Sequence, residues 1–237
     1  MTNYKGGVGV TTCCTGLGFA LAKLGERTLI VDGDNLGACG LFTGGCANMQ
    51  VYTLADYEKG ACRAKQTLVT HPKISNLSFC PSLGLKDLSC ADKAIGELDG
   101  LFDYILCDKI GSRKCDRALI VSEPFTPSIK SADIAKADLC DGGIKDAGLV
   151  INKLSGGLVL NGEVMPAQEI ARLLRMPLKA VIPEDLSLSL GKWRKSTMKA
   201  FDLAALMITG RRESVCNVLS GFTGIGGFIK RRVREKL

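Results

Sequence analysis

Short β-branched runs bounded by turn residues alternate along this chain with segments of helical hydrophobic spacing, and that alternation restricts the fold more than any other feature. The runs are Thr28–Asp32, 77–80, Tyr104–Asp108, Ala118–Ser122, 148–152 and 178–182, each of the length and apolar character of a strand buried on both faces. Between most of them apolar residues recur at helical intervals: Leu17, Ala20, Leu21 and Leu24 within 12–24; Ala91, Ala94, Ile95 and Leu98; and Ile170, Leu173 and Leu174 before the stop at Met176-Pro177. Strands alternating with helices predict an α/β fold, a doubly wound and mostly parallel sheet with helices on both faces. At 237 residues and 46% hydrophobic, the chain can bury a substantial core for one such domain.

Open parallel sheets bind ligands at the carboxyl ends of their strands, which directs attention to Asp32 and Asp34 after the first run and Asp108 at the end of the third. Ahead of the first helical segment runs Lys5-Gly6-Gly7-Val8-Gly9-Val10-Thr11-Thr12. Against the phosphate-loop pattern G-x-x-x-x-G-K-[ST] it agrees at Gly9 and Thr11 and departs at Tyr4, where a glycine belongs, and at Val10, where the lysine belongs. Three glycines let successive N–H groups turn inward around an anion, and a helix is expected to start at Thr11 or Thr12 with its N-terminus toward that anion. The Thr11 hydroxyl suits a Mg²⁺ ligand. Val10 supplies neither charge nor donor, and charge-assisted hydrogen bonds of the kind it forgoes contribute about 1.5–3 kcal/mol each. Taken alone, the segment also reads as a surface glycine turn. Asp108 is placed to hold Mg²⁺ through water and Asp34 to orient an attacking water, so loop and carboxylates together read as a nucleotide site.

Composition narrows the rest. No apolar run reaches the ~18–20 residues of a spanning helix, and the first residues lack a signal peptide's layout, so a cytoplasmic location is expected. The eleven cysteines include no C-x-x-C pair and read as small core residues in a reducing compartment. His71 is the single histidine, which excludes His-rich metal sites, and beside Pro72 it reads as a loop residue. Of the net charge of +7, residues 190–237 carry +8 through eleven basic against three acidic side chains, leaving −1 for the remainder. That asymmetry points to a basic tail meeting an anionic surface rather than to a general nucleic-acid binder. The expected organisation is a domain over 1–210, a linker over 211–227 with Gly221, Gly224, Gly226 and Gly227, and a tail over 228–237. In that tail Ile229, Val233 and Leu237 fall on one helical face, Phe228 flanks them, and Lys230, Arg231 and Arg234 lie opposite: a short basic amphipathic helix, or a solvated charged end.

The chain resembles the deviant Walker-A ATPases of the ParA/MinD superfamily, and most of all its septum-site-determining MinD branch. The resemblance covers almost the whole chain. It rests on Lys5-Gly6-Gly7-Val8-Gly9, Val31-Asp32-Gly33-Asp34, Tyr104-Ile105-Leu106-Cys107-Asp108, Leu149-Val150-Ile151-Asn152-Lys153, and the stretch from Gly162-Glu163-Val164-Met165 to Pro183-Glu184-Asp185. It implies that Lys5 is the signature lysine reaching phosphate across an ATP-bound homodimer, that Gly6, Gly7, Val8, Gly9, Val10 and Thr12 form the phosphate loop, and that Thr11 and Asp108 hold Mg²⁺. Asp34 would orient water, and Asn152, Pro183 and Glu184 would meet adenine. The implied cycle is ATP-dependent dimerisation, binding to the inner face of an anionic membrane through 228–237, and hydrolysis stimulated by Min-system partners. One short helix binds membrane marginally, whereas two linked ones gain avidity.

The chain departs from that family at Tyr4 and Val10, in having only Met1 to Tyr4 where a strand should feed the loop, and in the eight residues between Asp108 and Arg117 where a switch and helix belong. The family's proline after the Asp108 position is replaced by Lys109. A parallel crossover ordinarily takes a dozen or more residues, so the strands flanking that link are expected to be joined in some other way. Three functions remain in view: an ATP-hydrolysing membrane-cycling protein, a catalytically inactive binding module on the same fold, and a DNA-partition ATPase. A cluster carrier related to the nitrogenase iron protein is disfavoured by the cysteine pattern.

Overall fold

A computed structural model describes residues 1–33, 51–82, 85, 88–109, 115–190 and 192–220, with the backbone alone at 88, 189 and 190. Asp34, most of the short link after Asp108, and the tail at 228–237 lie outside the described residues. Each expected strand is present. They are β1 (Thr28–Asp32), β3 (Leu77–Pro81), β4 (Tyr104–Asp108), β5 (Ala118–Ser122), β6 (Ala147–Leu154) and β7 (Leu178–Pro183), with a two-residue β2 (Val69–Thr70) in addition to those expected. The helices are α1 (Val10–Lys23), α2 (Leu54–Glu58), α3 (Leu88–Leu98), α4 (Thr126–Asp141), α5 (Gly156–Leu160), α6 (Ala167–Leu174) and α7 (Lys195–Ile208).

The strands form two sheets, ordered β2-β3-β1-β4 and β5-β6-β7, parallel throughout except for the β2–β3 pair. Between β4 and β5 lies the beginning of the chain. Thr2 bridges Ile120 in parallel, with its N–H on the Leu119 carbonyl and its carbonyl accepting from Val121, each at 3.0 Å. On the other side the Met1 ammonium donates to the Cys107 carbonyl at 2.5 Å and the Lys109 N–H to the Met1 carbonyl at 3.1 Å. Met1 and Thr2 therefore pair with both neighbouring strands at the position of the strand expected to feed the loop. The link from Lys109 to Arg117 has to span one strand position and one strand length, about 20 Å, whereas nine residues reach roughly 30 Å. No helix is needed to make that connection.

Alternate residues of each strand face opposite sides, and both sides are covered. Val121, Val150, Ala180 and Ile182 pack with Val8, Val10, Cys13 and Leu17 and with Phe201 of α7. Ile120, Leu149, Ile151 and Val181 pack with Ile129 of α4 and with Ile170 and Leu174 of α6. Leu29 and Val31 meet α3, and Ile30 meets the other face beside Cys14. Each fully buried aliphatic side chain contributes about 1.5–3 kcal/mol. α1 is the centre of this arrangement, and glycines let it approach closely: a Cβ on Gly16 would meet the Phe201 ring at 2.6 Å, and one on Gly18 would meet Ile30 at 2.5 Å.

Candidate functional site

α1 begins at Val10, ahead of the expected Thr11 or Thr12, because Gly9 itself provides the cap: its left-handed φ of 89° turns the chain so that Val10 is the first helical residue. Gly7 is also left-handed, at 79°. The loop wraps toward α1's N-terminus, and Gly6 and Gly7 have open space where a Cβ would be. Anions are favoured there by the first N–H groups and the helix dipole. Val10 is buried in the core, where its isopropyl group packs with Val8, Cys13 and Leu17. Thr11 is buried in the first turn, and its carbonyl accepts from the Thr15 hydroxyl at 2.8 Å.

Asn152, on β6, is buried, and its side-chain amide donates to the Val8 carbonyl at 2.8 Å. That amide also fills the space beside Gly9, where a Cβ would lie 2.3 Å from Nδ2. Gly9 is thus required both by its φ and by its neighbour. The next residue, Lys153, takes a left-handed φ of 56°, and its Nζ donates to the Gly7 carbonyl at 2.7 Å and to Glu123 Oε1 at 2.6 Å. Lys5 reaches the same carboxylate, with Nζ 2.9 Å from Glu123 Oε2. Its backbone N–H donates to Asn3 Oδ1 at 2.8 Å, and Asn3 in turn receives the Ser131 hydroxyl of α4. Glu123 follows β5 directly, and its own N–H donates to the Ser128 hydroxyl at 2.9 Å. Burial pushes the Glu123 carboxyl upward, but the hydrogen bonds and charges of Lys153 and Lys5 outweigh it and hold the group below the ordinary glutamate range.

Asp108 closes β4, fully buried, in register with the equally buried Asp32 at the end of β1. The Gly33 N–H donates to the Asp108 carbonyl at 3.0 Å. Asp108 lies close enough to the start of α1 for its charge to act on the Cys13 and Cys14 thiols. Burial is the main cause that pushes Cys14 up to about 12. Thr11 and Asp108 thus share the neighbourhood of α1's first turns, and both offer the hard oxygen donors that Mg²⁺ takes. Pro183 ends β7, and the exposed Glu184 donates its N–H to the Leu154 carbonyl of β6 at 3.2 Å, which places this pair beside the end of the strand that carries Asn152. Just beyond, the buried Asp185 carboxylate accepts from Ser187, from Thr197 at 2.6 Å and from the Arg194 backbone at 3.2 Å, fixing the start of α7.

The structure therefore brings Lys5, the glycine loop, Thr11, Asn152 and Asp108 to one end of the parallel strands, as ligand sites of open α/β sheets require. Glu123 and Lys153 were missed as site residues. The one available signal was an acidic residue immediately after a buried strand, in Ser122-Glu123-Pro124.

A glycine loop on a buried helix N-terminus, two lysines converging beside it and a buried aspartate at a strand end are features of nucleotide-binding domains. The sequence profile of the CobQ/CobB/MinD/ParA nucleotide binding domain matches residues 1–196. The chain belongs to this family. Within it the chain is MinD-like. It is 33% identical to the septum site-determining protein MinD of Helicobacter pylori over 78% of this chain and 77% of that one. Among solved structures it is similar to the MinD cell division protein of Aquifex aeolicus, with a TM-score of 0.82 and 26% identity over 90% of this chain and 97% of that one. It is likewise similar to the MinC:MinD cell division protein complex of Aquifex aeolicus, with a TM-score of 0.83 and 26% identity over 90% of this chain and 95% of that chain. Among the described residues no helix is long and apolar enough to cross a membrane.

Proposed function

We propose that this chain is a MinD-like nucleotide-binding protein of division-site placement that binds ATP with Mg²⁺, dimerises on ATP and associates peripherally with the inner face of the cell membrane. The observation that carries the reading is the convergence of Lys5 and Lys153 on Glu123 beside the glycine loop, which gathers two cations where phosphate would lie and holds them on one carboxylate. Lys153 offers this loop a positive charge that Val10 does not. Gly6, Gly7, Gly9 and the N-terminal turn at Val10 to Thr12 would receive phosphate oxygens. Thr11, and Asp108 through water, would hold Mg²⁺, which when bound neutralises charge on the terminal phosphates. Lys5, partly exposed at the loop's edge, is suited to reach a partner copy's nucleotide once released from Glu123. Asn152 would steady the loop through Val8, beside the Pro183 and Glu184 segment proposed to meet adenine. Asp34 is proposed to orient water, and residues 228–237 to meet anionic lipid. The Aquifex aeolicus complex with MinC supports a Min-system partner.

The test is equilibrium binding of ATP and ADP to the purified chain, followed by turnover with and without anionic liposomes. Micromolar nucleotide binding and liposome-stimulated turnover are expected, and deletion of 228–237 should remove vesicle binding while sparing nucleotide binding. Failure to bind either nucleotide refutes the reading. The burial of Val10 favours a second reading, a module that binds nucleotide and partners without turning over, because this position is committed to packing. The Val10→Lys variant separates the two. Faster turnover assigns the deficit to a missing charge, and binding without turnover in both proteins supports the inactive module.

A further inference from the structure

Cys107 is on β4, in the four-stranded sheet, and Cys115 lies three residues ahead of β5, the first strand of the three-stranded one. Their sequence settings differ. Cys107 falls within the apolar run Tyr104–Asp108 and is buried, as a small core residue should be. Cys115 falls in Arg113-Lys114-Cys115-Asp116-Arg117 and is half-buried, outside any strand or helix, so core packing does not account for it. Three basic residues against one acidic make that stretch the electropositive kind in which reactive cysteines occur.

The fold brings these two thiols together. They share a hydrogen bond, and both residues line one cleft with Asp103, Asp116, Arg117 and Asp146. The Cys80 thiol, by contrast, meets the Thr67 hydroxyl at 3.1 Å, and Cys140 is exposed on α4. The hydrogen bond with Cys115 and, after it, burial push Cys107 well above the ordinary thiol range. Cys107 therefore stays protonated at neutral pH, and the half-buried Cys115 is the one that a dissolved oxidant reaches first.

We propose that Cys107 and Cys115 form a reversible dithiol–disulfide clasp, closed by a peroxide and opened by a thiol reductant, that ties β4 to the start of β5. In the first step the Cys115 sulfur attacks hydrogen peroxide: an S–O bond forms, the O–O bond breaks, and the departing hydroxide takes up the thiol proton as water, leaving a sulfenic acid. In the second the Cys107 sulfur attacks the Cys115 sulfur, the S–S bond forms as the S–O bond breaks, and the Cys107 proton leaves with the hydroxide as a second water. Two thiols are oxidised and one peroxide is reduced. Cys107 is a slow nucleophile, but its partner is already in contact, so no encounter has to be awaited. The sulfurs must close to about 2.05 Å, and Cys115 can move because it lies outside the strand ladders. The bond links the two sheets covalently, on either side of Asp108 in sequence.

The test treats the reduced, purified chain with hydrogen peroxide, alkylates the remaining thiols and maps the digest by mass spectrometry. A linked Cys107–Cys115 peptide, two hydrogens lighter than the separate ones and released by dithiothreitol, is expected as the main cross-link. Tm should rise by about 5 °C on oxidation and return on reduction. Cys115→Ser should abolish both the link and the rise, whereas Cys140→Ser should leave both intact. The proposal is overturned if peroxide carries Cys115 only to sulfinic or sulfonic acid, if Cys107 is found linked to another cysteine instead, or if the Cys107–Cys115 link forms only in urea.

Discussion

Two residues of the loop are constrained in separable ways. Gly9 combines a φ of 89° with a Cβ position 2.3 Å from Asn152 Nδ2, whereas Gly6 has nothing within 4 Å of its Cβ position. Gly9→Ala is expected to cost about 1–3 kcal/mol through strain and displacement of the amide, and Gly6→Ala to lie within about 0.5 kcal/mol of the parent, both read from urea midpoints. Equal midpoints would mean that the loop relaxes freely. Glu123 poses a different question, since on the proposed reading nucleotide phosphate would compete with its carboxylate for Lys5 and Lys153. Glu123→Gln is expected to tighten ATP binding several-fold, measured by titration; weaker binding would make Glu123 a support of the loop rather than a competitor. The same group has a pH signature. Its folded pKa lies below the unfolded one, near 4.3, so its contribution to stability is present above that value and is lost as pH falls through the lower folded value. Glu123→Gln should flatten that part of the acid limb. At this scale the candidate loop from Lys5 to Thr12 is legible because its glycines are contiguous, and Asp108 because it ends an apolar run. Glu123 and Lys153 are not, since their meaning lies in contacts across 118 and 146 residues of chain.

Elements were legible in proportion to how strongly their own residues encode them. The parallel strands stand out because burial on both faces demands unbroken β-branched runs, and their observed ends agree with the reading to within two residues. α4 was silent because its buried face is Ser128, Ile129, Ala132 and Ala135, mostly small residues that leave little apolar periodicity. α7 was hidden in the basic stretch that dominates the last part of the chain, although its buried face includes Ala200, Phe201, Ala204 and Ala205. α7 packs on α1 through Ala200, Phe201, Ala204 and Ala205, and its closest approach is at Gly16, where an added Cβ would meet the Phe201 ring at 2.6 Å. Gly16→Ala is expected to cost about 1–3 kcal/mol by overpacking. Gly16→Ala with Phe201→Leu should be less destabilised than the two single changes summed, because the smaller side chain makes room for the methyl. Additive costs in urea titrations would show that the helices are not coupled at this point.

For the whole molecule, the consequence of two sheets is that stability need not be uniform. The four-stranded and three-stranded sheets have their own outer cores, around α3 on one side and α4 and α6 on the other. They are coupled by α1, which packs against strands of one sheet and, with α7, covers strands of the other, and by the Met1–Thr2 pairing. Such a molecule is expected to open at the coupling layer before either sheet melts. The chain's one tryptophan reports there: Trp193 packs edge-on against Phe201 of α7, with ring centroids 5.6 Å apart, and against Phe19 of α1 at 6.4 Å. In urea its fluorescence should change at a lower midpoint than far-ultraviolet circular dichroism, which is weighted by all the helices. Coincident curves would mean that α1 and α7 bind the two sheets into one cooperative unit.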